Sequence, residues 1–126
     1  MSEELTGSLS HTPVYAYHRY LSGASDTPPE TVKRHGLNTA GFQFAHVQVV
    51  PVDGANPNVK VLFWSEEAAK FVEKHSSLSF ASKGVDTPYE FDVECNGRTM
   101  FVSVPSGVTA GQKCRVYAAG FNIMKD

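Results

Sequence analysis

The chain reads as mainly β, an antiparallel β-sandwich or barrel with at most one short helix. Three observations carry that reading. Apolar and polar residues alternate with period two over several short stretches, the pattern of half-buried strands. Gly, Pro, Asn and Asp clusters separate those stretches, as in an all-β domain. Aromatic and β-branched residues dominate the stretches themselves, in a chain holding eight Phe, five Tyr and one Trp.

Residues 1–12 are polar and predict a flexible N-terminal arm ahead of one domain over residues 13–126. Residues 13–21 alternate, with Tyr15, Tyr17 and Leu21 on one side and Val14, Ala16, His18 and Tyr20 on the other. Both faces of that strand are apolar or aromatic, so it is either buried in a sandwich or in contact with another chain. Residues 22–40 carry Ser-Gly, Asp-Thr-Pro-Pro and His-Gly breakers and predict a long loop, with one helical turn near residues 30–35. Residues 42–52 and 59–64 read as two strands joined by the turn cluster Asp-Gly-Ala-Asn-Pro-Asn, and so as a hairpin. Ser65 and two glutamates followed by alanines predict a short helix over residues 66–74. The competing reading is a turn at Glu66-Glu67 and then a strand through Phe71 and Val72.

Residues 89–104 give the sharpest local prediction. Asn96-Gly97 is the strongest two-residue type I′ signal, because both turn positions need positive φ. A hairpin closed there sets Cys95 opposite Arg98, Val93 opposite Met100, Phe91 opposite Val102 and Tyr89 opposite Val104. Glu90, Asp92 and Glu94 then share the solvent face with Thr99, Phe101 and Ser103. The last strand spans residues 113–121, with Cys114, Val116 and Ala118 inward and Arg115, Tyr117 and Phe121 outward.

Composition narrows the function classes. The formal charge is −2 with both signs interspersed, so the basic footprint of a nucleic-acid binder is absent. No apolar run approaches the ~18–20 residues of a membrane-spanning helix. The acidic start, Met-Ser-Glu-Glu-Leu-Thr, lacks the apolar core of a signal peptide, and folding in the cytoplasm is expected. Cys95 and Cys114 fall at inward positions, where free thiols behave as small hydrophobes; a reducing compartment argues against their pairing.

The candidate sites are few. His11, His18, His35, His46 and His75 are scattered without ligand spacing, and no Cys-x-x-Cys occurs, so neither a metal nor another cofactor is expected. Glu90 and Asp92 lie roughly 7 Å apart along a strand, a glycosidase-like separation, yet they share one open face instead of flanking a cleft. That row reads as a solvated face, with Arg115 as an ion-pair partner. No Gly-x-Ser-x-Gly and no phosphate loop is present, and no catalytic residue is assigned. The aromatic residues Tyr15, Tyr17, Phe101, Tyr117 and Phe121, with Arg115, form the candidate interface.

Four stretches have a familiar texture. They are Phe63-Trp64-Ser65-Glu66-Glu67-Ala68-Ala69-Lys70-Phe71, Pro88-Tyr89-Glu90-Phe91-Asp92-Val93, Asn96-Gly97-Arg98-Thr99-Met100-Phe101-Val102 and Val116-Tyr117-Ala118-Ala119-Gly120-Phe121. Over residues 60–121 the chain resembles small virion proteins of tailed bacteriophages, of the capsid decoration or cement type. That resemblance implies a non-enzymatic β-sandwich that binds the major capsid protein or another virion protein, perches on the particle and is assembled in the host cytoplasm. It also admits a homo-oligomer, and a place in the neck, tail or fibres. The competing functions are a carbohydrate-binding sandwich, with outward aromatics as its platform, and a small enzyme with a site assembled from distant residues.

Overall fold

Asn96 and Gly97 both take positive φ, 48° and 78°, and the Arg98 amide donates to the Cys95 carbonyl at 3.0 Å. The turn predicted from the Asn-Gly pair is present. The hairpin is not. In the computed structural model, which describes residues 17–26, 31–73 and 78–123, the strands on either side of this turn enter different sheets.

The described strands are β1 (Tyr17–Ser22), β2 (Phe44–Val52), β3 (Asn58–Ser65), β4 (Lys70–Glu73), β5 (Ser79–Phe80), β6 (Tyr89–Glu94), β7 (Met100–Ser106) and β8 (Lys113–Phe121). The first sheet has the order β1-β8-β2-β6. In the second, β3 pairs with β7 along one edge and with β4 and β5 along the other. All pairings are antiparallel and neither sheet closes, so the architecture is a sandwich and the barrel alternative falls. Val47, Val49, Val93 and Val116 from the first sheet meet Val59, Val61, Val102 and Val104 from the second in one core. The predicted arm, Tyr15, His11 and His75 lie outside the described residues.

Two expected hairpins are crossings between sheets. At residues 95–97 the amides of Cys95 and Asn96 donate to the Gln43 carbonyl, and that of Gly97 to the Phe42 carbonyl. These bonds tie the turn to the start of β2, and β6 pairs with β2 from Phe44↔Glu94 to Val49↔Tyr89. β7 departs to β3. Between β2 and β3 the Asn56 amide donates to the Gly107 carbonyl and the Ala55 carbonyl accepts from Asp86. Gly107 has φ +100°, and a Cβ there would lie 2.1 Å from the Asn56 oxygen, so glycine permits this close crossing.

The helix expected over residues 66–74 stops after one turn. Ser65 does cap it, since its Oγ accepts from the Ala68 amide at 3.1 Å and its carbonyl from Ala69 at 2.9 Å. Ala69 then turns left-handed, φ 54°, and β4 runs back along β3 from Ser65↔Lys70 to Leu62↔Glu73. Packing decides this. The reversal carries Phe71 into full burial beside Trp64 and Phe101, each at 5.1 Å between ring centroids. The helical turn expected near residues 30–35 is a 3-10 turn, Lys33–His35.

Phe101 belongs to that second cluster, with Leu62 and Phe71, on the outer side of the second sheet. It is only 2% exposed, so its predicted place in an open interface is overturned. The long loop covers it. Leu37 exchanges backbone bonds with Met100, Gly36 lies against the Phe71 ring, and the Arg19 guanidinium sits 4.4 Å above the Phe101 ring. Arg19 also donates to Asp26 through two 2.6 Å bonds and to the Val102 carbonyl at 2.8 Å. Asp26 in turn accepts from the Val104 amide at 2.7 Å, and its own amide donates to the Val104 carbonyl. The free edge of β7 is thereby closed against pairing with another chain.

Candidate functional site

The opposite outer surface, that of the first sheet, has no described segment lying across it. Strand register fixes what it presents. His18, Tyr117, Gln48 and Glu90 form one cross-strand row. Toward one end follow Tyr20, Arg115 and Val50, then Ser22, Lys113 and Val52. Toward the other end follow Ala119, His46 and Asp92, then Phe121, Phe44 and Glu94.

The two ends differ in charge. At the acidic end His46 is held between carboxylates, with Nδ1 2.6 Å from Asp92 Oδ1 and Nε2 2.5 Å from Glu90 Oε1. Only the imidazolium can donate through both nitrogens. Partial burial opposes protonation, but the hydrogen bonds and charges of Asp92 and Glu90 outweigh it and raise the His46 pKa above its ordinary value. Arg115, expected to pair with this acidic row, does not reach it, because β2 lies between β8 and β6. The sequence shows His46 only as one of five scattered histidines, because its partnership depends on the β2–β6 register, which no local spacing encodes.

At the other end Arg115 lies over the Tyr20 ring, 5.2 Å from its centroid. Lys113 reaches Asp53 at 3.6 Å. A depression of about 330 Å³ opens here, lined by Tyr20, Val50, Val52, Asp53, Lys113, Arg115 and Tyr117. Tyr20 is 49% and Val52 41% exposed, so the rim offers apolar surface beside the charged Asp53, Lys113 and Arg115.

Of the predicted interface residues, Arg115, Tyr117 and Phe121 share this face. Tyr17 does not. It points inward at 6% exposure, as a member of the main core, because period-two alternation puts it on the same side as Leu21. His18 and Tyr20 take its place outside, and Phe44 joins Phe121. His18 stacks on Tyr117 with centroids 4.8 Å apart and planes 9° apart, and Phe44 on Phe121 at 5.5 Å and 21°. These separations are close to the ~4.8 Å strand spacing, so the rings stand side by side with their faces turned to one another. A sugar platform needs ring faces turned to solvent, and these pairs present edges.

Cys95 and Cys114 are free and buried, and they sit near opposite ends of β2, Cys95 hydrogen-bonded to Gln43 just before its start and Cys114 across from Pro51. Burial, with the nearby Asp26 charge, pushes the Cys114 thiol up to about 11, against a smaller opposing effect of Arg19. Burial, and then Cys114, raise the Tyr89 hydroxyl, which donates to the Pro57 carbonyl at 2.8 Å. Among the described residues no three His, Cys, Asp or Glu side chains are arranged to hold a metal ion. No protein-family model, curated protein or solved structure matches this chain.

Proposed function

We propose that the protein is a non-enzymatic virion component that binds and stabilises the capsid surface of a tailed phage, docking through the outer face of its first sheet. The observation that carries this reading is that face: exposed Tyr20 and Val52 beside Arg115 at one end, and Glu90, Asp92 and Glu94 at the other. Four strands at ~4.8 Å and up to nine residues at ~3.4 Å each give a flat patch of roughly 500 Å². That footprint is over half of the ~800 Å² per partner of an ordinary protein interface. The texture of residues 60–121 supports a capsid as the partner, with the major capsid protein supplying the complementary surface. Assembly takes place in the host cytoplasm and the product stays on the virion. Side-by-side ring packing favours this reading over a sugar platform.

Co-sedimentation of the tagged chain with purified phage particles tests the proposal, with the washed pellet quantified by mass spectrometry. Stoichiometry comparable to the coat protein supports decoration. A few copies per particle would move the protein to the neck, tail or fibres, and no association would refute the virion reading.

A further inference from the structure

The depression at the basic end of the face has the composition of a small built pocket. Val50 and Val52 line it from β2, Tyr20 stands on β1 opposite Arg115, and Tyr117 comes from the next row of β8. Its volume of about 330 Å³ lies at the small end of the range for ligand sites, which are mostly apolar with a few placed polar groups. Arg115 supplies such a group. No carboxylate among the described residues lies within ion-pair distance of its guanidinium, whereas Arg19 is fully engaged by Asp26. The Tyr20 ring orients the guanidinium from one side, which leaves its donors available for a planar, two-oxygen acceptor. Lys113 is held only by the long contact to Asp53, both side chains being about half exposed, and such a pair is weak enough to open toward a competing anion.

We propose that this pocket binds an acidic segment of a partner protein, taking an apolar side chain on Val50 and Val52 and, two residues along the segment, an Asp or Glu carboxylate on Arg115. A chain-terminal carboxylate is a poorer fit. Recognition of termini uses converging backbone amides, and a sheet face offers side chains instead. In an extended segment, side chains two residues apart lie ~7 Å apart on one face, about the separation of one cross-strand row from the next. Glu90, Asp92 and Glu94 at the far end repel the same segment, so the face also fixes its direction. The identity of the partner rests on the docking function proposed above; the pocket itself is testable alone.

The experiment is an amide NMR titration of the full chain with two probes, acetyl-Glu-Ala-Phe-amide and acetyl-Gln-Ala-Phe-amide. Saturable shifts confined to Tyr20, Val50, Val52, Lys113, Arg115 and Tyr117 are expected with the Glu peptide. Its affinity should exceed that of the Gln peptide by about tenfold, the worth of one charge-assisted bond. Arg115→Gln should abolish that preference. Val52→Asp, at an exposed position that leaves the spectrum otherwise unchanged, should abolish binding. Equal shifts with both peptides, shifts elsewhere, or none at millimolar peptide would overturn the proposal. Particle binding that survives Arg115→Gln while the peptide preference is lost would sink only the assignment of the partner. Failure to co-sediment, with the peptide result intact, would sink only the virion reading.

Discussion

Asp26→Ala should be the most damaging single truncation of a charged side chain in this sandwich. Asp26 and Arg19 are 12% and 21% exposed and meet through two 2.6 Å bonds. Removing the carboxylate takes from a largely buried guanidinium the two short bonds to Asp26, while its bond to the Val102 carbonyl and its place over the Phe101 ring remain, and it takes the acceptor from the Val104 amide. Breaking a buried pair from one side costs about 3–5 kcal/mol, and the residual exposure lets water in, so the low end applies. The expected loss is about 3 kcal/mol, or a drop in Tm of about 10 °C for a domain of this size. Urea denaturation of D26A, R19M and the double variant checks it. The double variant should be less damaged than the sum of the singles by at least about 1.5 kcal/mol, because removing both charges leaves neither stranded. D26N, which keeps an acceptor for Val104, should fall between D26A and the parent. Strict additivity, or a D26A loss below about 1 kcal/mol, would refute the claim that the ion pair closes the β7 edge.

Three further outcomes follow from the same structure. The His46 clamp raises a folded-state pKa, so its stabilisation is fully present below the ordinary histidine value of ~6.5 and is lost as pH rises through the raised value. The stability gap between the parent and His46→Gln should therefore shrink between pH 6 and alkaline pH in paired urea melts. It should total about 0.5–1 kcal/mol, because both carboxylates are more than half exposed. Gly107→Ala should cost at least about 2 kcal/mol by thermal melting, since ~1 kcal/mol of left-handed strain adds to a Cβ placed 2.1 Å from the Asn56 oxygen. Cys114, buried and with its thiol pushed up to about 11, should resist a thiol reagent at pH 8 in the folded protein and react fully in urea.

The sequence told which way side chains point better than it told what they point at. Tyr89, Val93, Met100, Val102 and Val104 all face the core as alternation demands. In a sandwich, however, a strand that continues in the same sheet and one that crosses to the facing sheet bury the same residues. Alternation could not distinguish a hairpin at Asn96-Gly97 from a crossing. What decides is whether the turn amides are taken by Phe42 and Gln43, more than fifty positions away. The Ser65 cap was legible for the same reason that its consequence was not: the cap is local, whereas the burial of Phe71 depends on Trp64 and Phe101.

The interface residues divide along the same line, and the division points to one face of the molecule. Both outer faces carry aromatic residues that the chain must either cover or use. The long connection between β1 and β2 is spent on the second sheet, where Leu37, Gly36 and the Arg19–Asp26 pair bury Phe71 and Phe101 and seal the β7 edge. A loop in that position cannot also cross the first sheet, which lies on the far side of the core. Tyr20, Val52 and Arg115 are left open as a result. Isolated exposed apolar residues mean little, but Tyr20 and Val52 line one depression with Arg115, whose guanidinium meets no carboxylate among the described residues. Among the described residues, the second sheet's outer face is covered and its edge sealed while the first sheet's face keeps Tyr20, Val52 and Arg115 exposed, and that asymmetry makes the first sheet the face on which to test for a partner.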